Sequence, residues 1–232
     1  MREMAQGAVQ ALRLLLSLDP QVLPIVALTL RVSGTALLLS ALVGVPLGSF
    51  LGLKRFLGRR LLLALLYTGM GLPPVVVGLF VYLLLSRSGP FGHLGWLFSA
   101  RAMVLAQAVI SFPLIAGFTM ASVMSVDPGL RDQLLSLGAT SWQATCTILG
   151  EARTGVMVSI AAGFGSIISE VGAVMLVGGN IEGATRVLTT AIVLETRKGN
   201  FALALALGMV LLALSFAANV AMLGIQGKRL YE

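Results

Sequence analysis

Uninterrupted apolar runs constrain this chain more than any other feature. Residues 32–53, 61–85, 102–124 and 201–225 contain no Asp, Glu, Lys or Arg. Each reaches the ~20 residues that an α-helix needs to cross a bilayer. A fifth run, 154–177, carries one ionisable residue, Glu170. Backbone polar groups within hydrocarbon must be satisfied inside the segment itself, so such runs fold as helices. We therefore expect an all-α membrane protein with about five transmembrane helices. Charged residues make up 11% of the chain, against roughly a quarter in soluble domains. No polar stretch is long enough for a second domain, so residues 1–232 are expected to form one.

The net charge of +7 would suggest a nucleic-acid partner in a soluble protein. Here the cations fall in short loops, where anionic headgroups on the cytoplasmic side account for them and no nucleic acid is needed. Lys54, Arg55, Arg59 and Arg60 form the densest such turn. Placing it in the cytoplasm and alternating five spans puts the N-terminus outside and residues 127–153 inside. The C-terminus then lies inside, with Lys228 and Arg229. Residues 1–18 read as an amphipathic interfacial helix, with Met4, Ala8, Leu12 and Leu15 opposite Glu3, Gln6, Gln10 and Arg13. No cleavable signal peptide is evident.

Within the first span, Val22–Leu53, small residues recur every fourth position: Ala36, Ser40, Gly44, Gly48 and Gly52. That stripe suits close helix packing, either within the chain or against a second copy. Pro46 is expected to kink the helix. In the second span, Pro73 and Pro74 remove two backbone donors in mid-membrane. The break is either a structural kink or a lining element of a pathway. The Gly- and Pro-rich loop 87–101 is placed outside, with Trp96 and Phe98 as interfacial anchors and His93 solvated. Residues 187–194 are apolar but too short to cross, so they are expected as a helix at the outer surface or one that dips in and returns.

Several chemistries are excluded. No Gly-rich loop ending in Lys-Ser or Lys-Thr is present, so the chain is not expected to bind and split ATP. One histidine, His93, and one cysteine, Cys146, cannot form a metal-ligand set, and neither metal nor cofactor is expected. No nucleophile–histidine pattern exists, so the chain is not read as an enzyme. Glu170 is the one carboxylate inside a span, which makes it a candidate gate or a structural hydrogen-bonding group. A bare carboxylate there would repel an anionic cargo.

The most specific stretch is the polar hairpin 127–153. Asp127 and Pro128 suit the start of a helix, and Gly138 a sharp reversal. Ser141 is expected to cap a second short helix, with Leu134, Leu137, Trp142 and Ile148 available to bury. Glu151, beside Arg153, reads as the solvated exit.

This hairpin resembles the cytoplasmic EAA loop of ABC-importer permeases. Gly138-Ala139 matches its core, and Ile148 the hydrophobic position ten residues later. Asp132-Gln133-Leu134 stands in place of Glu-Ala-Ala, and Gly150-Glu151 in place of Leu-Pro. LTLRVSGTALLLSALVGVPLG, GLPPVVVGLFVYLLLSRSGPFG and ISEVGAVMLVGGNI look like the permease subunit of tungstate-type ABC importers, with molybdate and sulfate permeases as near relatives. The resemblance implies an inner-membrane homodimer of the ABC-permease fold, docked on separate ATPase subunits and supplied by an extracytoplasmic substrate-binding protein. Asp132, Gln133, Leu137, Gly138, Ala139, Trp142, Ile148 and Glu151 would then couple to the ATPase. Ser169, Glu170, Gly178, Gly179, Asn180, Pro73 and Pro74 are pathway or gate candidates. A stand-alone secondary transporter or channel is the competing class, with Glu170 carrying protons or cations, although no inverted repeat is visible. A structural membrane adaptor is the third.

Overall fold

A computed structural model describes residues 22–226. The interfacial helix expected over 1–18 lies outside them, as do Lys228 and Arg229. Among the described residues there are ten α-helices, one 3-10 turn and no strand. The helices are α1 (Val22–Leu53), α2 (Arg59–Met70), α3 (Pro74–Leu85), α4 (Ala100–Met124), α5 (Pro128–Ser136), α6 (Ser141–Glu151), α7 (Arg153–Ile168), α8 (Gly172–Gly178), α9 (Leu188–Arg197) and α10 (Phe201–Gln226). Three of them, α1, α4 and α10, are each long and apolar enough to cross a membrane. The other two expected spans are broken pairs. The chain bends by 103° between α2 and α3, and by 59° between α7 and α8.

Local chemistry explains both breaks. A residue before proline is driven from the helical region by the proline ring. Pro73 accordingly takes φ −61° and ψ 126°, and Pro74 opens α3 at its first turn, where its missing N–H is not needed. The carbonyls freed at the end of α2 are met by Gly71 and Leu72, whose N–H groups donate to Thr68 and Gly69 at 3.1 and 3.4 Å. The break expected at Pro73 and Pro74 within the span 61–85 thus divides it into two helices. At the second break the helix expected over 154–177 ends at Ile168 and restarts at Gly172. Glu170 Oε1 accepts the Ala173 N–H at 2.9 Å, satisfying one orphan donor of the new helix. Pro46, by contrast, lies inside the unbroken α1.

Two compact units divide the described residues: 22–36, 73–107 and 167–221, and 37–72, 108–166 and 222–226. In the second, α4 is the axis. A methyl added at Gly44 would stand 3.2 Å from Ile115 Cγ2, and one at Gly52 3.0 Å from Val123 Cγ1. At Gly48 it would overlap the Ala116 carbonyl. Ser40 donates to Ala108 O at 3.0 Å and lies 2.6 Å from Ser111 Oγ. From Ser40 to Gly52 the small-residue stripe is therefore filled within the chain. A second stripe, Gly155, Ser159 and Gly163 of α7, meets α4 at Ser122, Thr119 and Ile115. Ser159 donates to Val156 O and accepts from Thr119 at 2.9 Å. Close backbone approach and buried hydroxyl pairs hold helices where lipid supplies no hydrophobic drive.

In the first unit, Leu188 and Ala191 of α9 pack with Leu207 and Val210 of α10, and with Ile25 and Val26 of α1. Thr29 Oγ1 accepts the Leu188 N–H at 3.0 Å, capping α9 from another helix. The short apolar segment 187–194 is thus a packed helix of ten residues. Its C-terminal end is fixed by Glu195, whose carboxylate accepts from Lys198 Nζ and Asn200 Nδ2, each at 2.8 Å.

Candidate functional site

The hairpin α5–α6 is built by its caps. Asp127 Oδ1 accepts the Gly129 N–H at 2.8 Å, as expected for an N-cap, and Pro128 follows in the first turn. Gly138 takes φ +89°, a left-handed conformation that turns the chain between the helices. The cap of α6 is Thr140 and not Ser141. Thr140 Oγ1 accepts the Gln143 N–H, and Gln143 Oε1 accepts the Thr140 N–H at 2.7 Å. This reciprocal box needs a Glu or Gln three residues on. Ser141 has Ala144 there, so the motif selects the earlier residue.

The apolar residues of the hairpin divide into a root and a tip. Ile148 and Ala152 are buried with Val123, against Leu53, Leu130 and Val156. Leu134 is half-buried. Leu137 is 85% exposed and Trp142 73%, so neither is buried as the sequence suggested. Asp132, Gln133, Gly138 and Glu151 are exposed beside them, and Ala139 is half-buried. A rooted knob with an uncovered Leu and Trp has the composition of an interface centre.

The structure also brings together two sets of residues that the sequence places far apart. The half-helices that follow the two breaks, α3 and α8, pack on one another. Gly78 of α3 lies against Ala173, and a methyl at Gly172 would stand 2.6 Å from Val75 Cγ2. Pro73 and Pro74 therefore neighbour the break that holds Ser169 and Glu170. Besides its cap to Ala173, Glu170 accepts the Thr189 hydroxyl through its carbonyl at 3.0 Å. Ser169 is exposed.

The turn after α8 is tied down on three sides. Gly179 and Asn180 both have positive φ, +72° and +52°. Thr185 donates to Gly178 O at 2.6 Å and accepts from Ile181 N at 2.9 Å. Gly178 is buried against Met103, and a methyl added at the exposed Gly179 would stand 2.9 Å from Phe98 Cδ1. Phe98 donates its N–H to Val177 O at 2.9 Å and itself has φ +60°. Such a conformation in a bulky residue persists only when its surroundings enforce it. Asn180 Oδ1 is buried with no hydrogen-bond partner among the described residues. Sequence reasoning read Phe98 as an interfacial anchor and missed its role as a clamp on this turn. Nothing in its local sequence signals that contact.

Residues 44–229 match the family described as "Binding-protein-dependent transport system inner membrane component". The chain belongs to this family. The permease is 42% identical, over 97% of its length and 99% of the relative's, to the tungstate uptake system permease protein TupB of Peptoclostridium acidaminophilum. It is 43% identical to a probable anion ABC transporter permease protein of Haloferax volcanii, over 84% of this chain and 86% of that one. A solved bacterial ABC transporter involved in alginate import has the same fold: the TM-score is 0.68 at 22% identity, covering 90% of this chain and 81% of that one.

Proposed function

We propose that this permease is the membrane subunit of an ATP-driven importer that moves tungstate into the bacterial cell. It acts as a homodimer in the inner membrane, with the N-terminus outside and the C-terminus in the cytoplasm. Each copy docks one separate ATPase subunit on its hairpin and receives the oxyanion from an extracytoplasmic binding protein. The observation that carries the reading is the division of the hairpin into a buried root and an exposed Leu137–Trp142 tip. Closure of the ATPases on ATP moves the tip. Because Ile148 and Ala152 are packed against the ends of α1 and α4, the motion passes to the spans, and hydrolysis resets them.

The cargo is assigned from the likeness to tungstate uptake permeases, with molybdate and sulfate as the competing oxyanions. The pathway is assigned to the paired breaks: Pro73, Pro74, Ser169 and the turn Gly178, Gly179 and Asn180. Hydroxyls and backbone amides pass a tetrahedral oxyanion without trapping it, whereas a tight cationic cage would hold it. Glu170 serves there as a structural or gating group, since its carboxylate already holds a backbone N–H.

The test is uptake of labelled tungstate by vesicles holding the permease, its ATPase and its binding protein. Gly138→Asp should abolish ATP-driven uptake while the permease stays folded in the membrane. Full uptake by that variant, or uptake driven by a proton gradient with no ATPase bound, would sink the reading. Competition by molybdate and sulfate ranks the cargo.

A further inference from the structure

A cavity of about 350 Å³ opens where α1 and α4 end, lined by Leu53, Arg55, Arg59, Asp127, Arg131 and Ile148 among others. Three arginines and one aspartate thus share its wall. Asp127 Oδ1 already accepts the Gly129 N–H, and among the described residues no ion pair joins Asp127 to any of the three arginines. Arg59 is fixed in place, its Nε donating to Leu51 O at 2.9 Å and its Nη2 lying 3.6 Å from Met124 Sδ. Arg131 Nε is buried and has no hydrogen-bond partner among the described residues. Like charges that line one cavity repel one another, and an anion between them relieves that repulsion. Planar guanidinium forks match the paired oxygens of a phosphate or a carboxylate.

Depth decides the source of that anion. Two membrane-crossing helices, α1 and α4, both end at this cavity, which places it at the level of the lipid headgroups. Leu57 in the basic turn and Leu61 and Leu65 along the start of α2 are exposed, a surface suited to acyl chains. We propose that the cavity binds a tetrahedral oxyanion, the phosphate of an anionic phospholipid, held by Arg55, Arg59 and Arg131. Arg131 belongs to the coupling hairpin and Arg55 to the preceding basic turn. The bound headgroup therefore pins the root of the hairpin to the bilayer, and it does so whatever the cargo.

The experiment uses the whole transporter in nanodiscs of phosphatidylcholine with one-fifth phosphatidylglycerol, with retained lipid counted by native mass spectrometry. The wild type should keep phosphatidylglycerol through detergent exchange. Arg131→Gln and Arg55→Gln should each lower retention about fivefold, the loss expected for one basic contact at a membrane surface. Arg55 is exposed, so its variant carries the test should Arg131→Gln fail to fold. Equal retention by the wild type and the folded variants overturns the site. A parallel arm adds inorganic phosphate or tungstate to pure phosphatidylcholine discs and follows the thermal midpoint. An Arg131-dependent rise there, without phosphatidylglycerol retention, overturns the lipid source. Retention by the permease alone that vanishes when the ATPase assembles assigns the cavity to the protein interface, and overturns the proposal equally.

Discussion

Glu170 stands inside an apolar span, and its side chain makes one bond that explains the position: Oε1 to the Ala173 N–H at 2.9 Å. A glutamine can make the same bond and an alanine cannot. Glu170→Gln should therefore leave both the thermal midpoint and tungstate uptake close to wild type. Glu170→Ala should cost about 1 kcal/mol, as removal of a capping acceptor does elsewhere. Loss of uptake in the glutamine variant would show that ionisation is needed and that the group gates rather than caps. Gly48 makes the complementary case, because there the constraint is space. Its Cα faces the Ala116 backbone, which cannot step aside as a side chain can. Gly48→Ala should destabilise the permease by about 1–3 kcal/mol, the range for overpacking a close contact. Thermal unfolding in detergent measures it, and an unchanged midpoint would refute the close packing of α1 on α4.

Among the elements, the polar hairpin carries two of its exposed apolar side chains, Leu137 and Trp142, at its tip. Replacing Leu137 and Trp142 together by serine removes no buried contact, so the permease alone should unfold at the same temperature. Its association with the ATPase should weaken at least 30-fold, since a central aromatic anchor is worth 2 kcal/mol or more. Co-purification at graded concentrations reads this directly. Much of the hairpin was legible beforehand, because Asp127, Pro128 and Gly138 are residues whose conformational preferences are local. The cap of α6 was misplaced by one residue although Thr140 and Gln143 hold the spacing of a capping box. What could not be read was long-range: that Ile148 would root while Trp142 stayed out, or that the breaks at Pro73 and Glu170 would lie side by side. Apolar periodicity shows which residues avoid water, not which of them meet one another. The turn between α9 and α10 carries its own test. Lys198, and then Asn200, donate to Glu195 and hold its carboxyl below the usual carboxylate value. A depressed folded pKa means that the stabilisation is present above the unfolded value of about 4.3 and is lost as pH falls through the folded one. The wild type should exceed Glu195→Gln in thermal midpoint at pH 7, and that gap should close below about pH 4. A constant gap would show that the charge plays no part.

At the scale of the molecule, the two bent pairs leave open whether the chain crosses three times or five, and the cavities decide it. Arg55 and Arg59, after α1, line one cavity together with Arg131 and Ile148 of the hairpin. The basic turn and the hairpin therefore lie on one side of the membrane. Since α4 crosses once between them, the pair α2–α3 must cross as well. Pro24 and Arg31, at the start of α1, line another cavity together with Gly183 and Arg186. The loop after α8 thus lies on the side where α1 begins, and α7–α8 must also cross. Five crossings follow, and the side of the hairpin fixes all of them. Cys146, the single cysteine of the chain, is exposed on α6 and reports that side without any engineering. A membrane-impermeant maleimide should label it in inverted vesicles stripped of ATPase and leave it unlabelled in intact spheroplasts. Rebinding the ATPase should slow the labelling about tenfold or more, as burial in a well-packed interface excludes the reagent. Labelling from the outer face would reverse the orientation and remove the hairpin from any cytoplasmic partner. Labelling at an unchanged rate in the assembled transporter would keep the orientation but move the docking surface off α6.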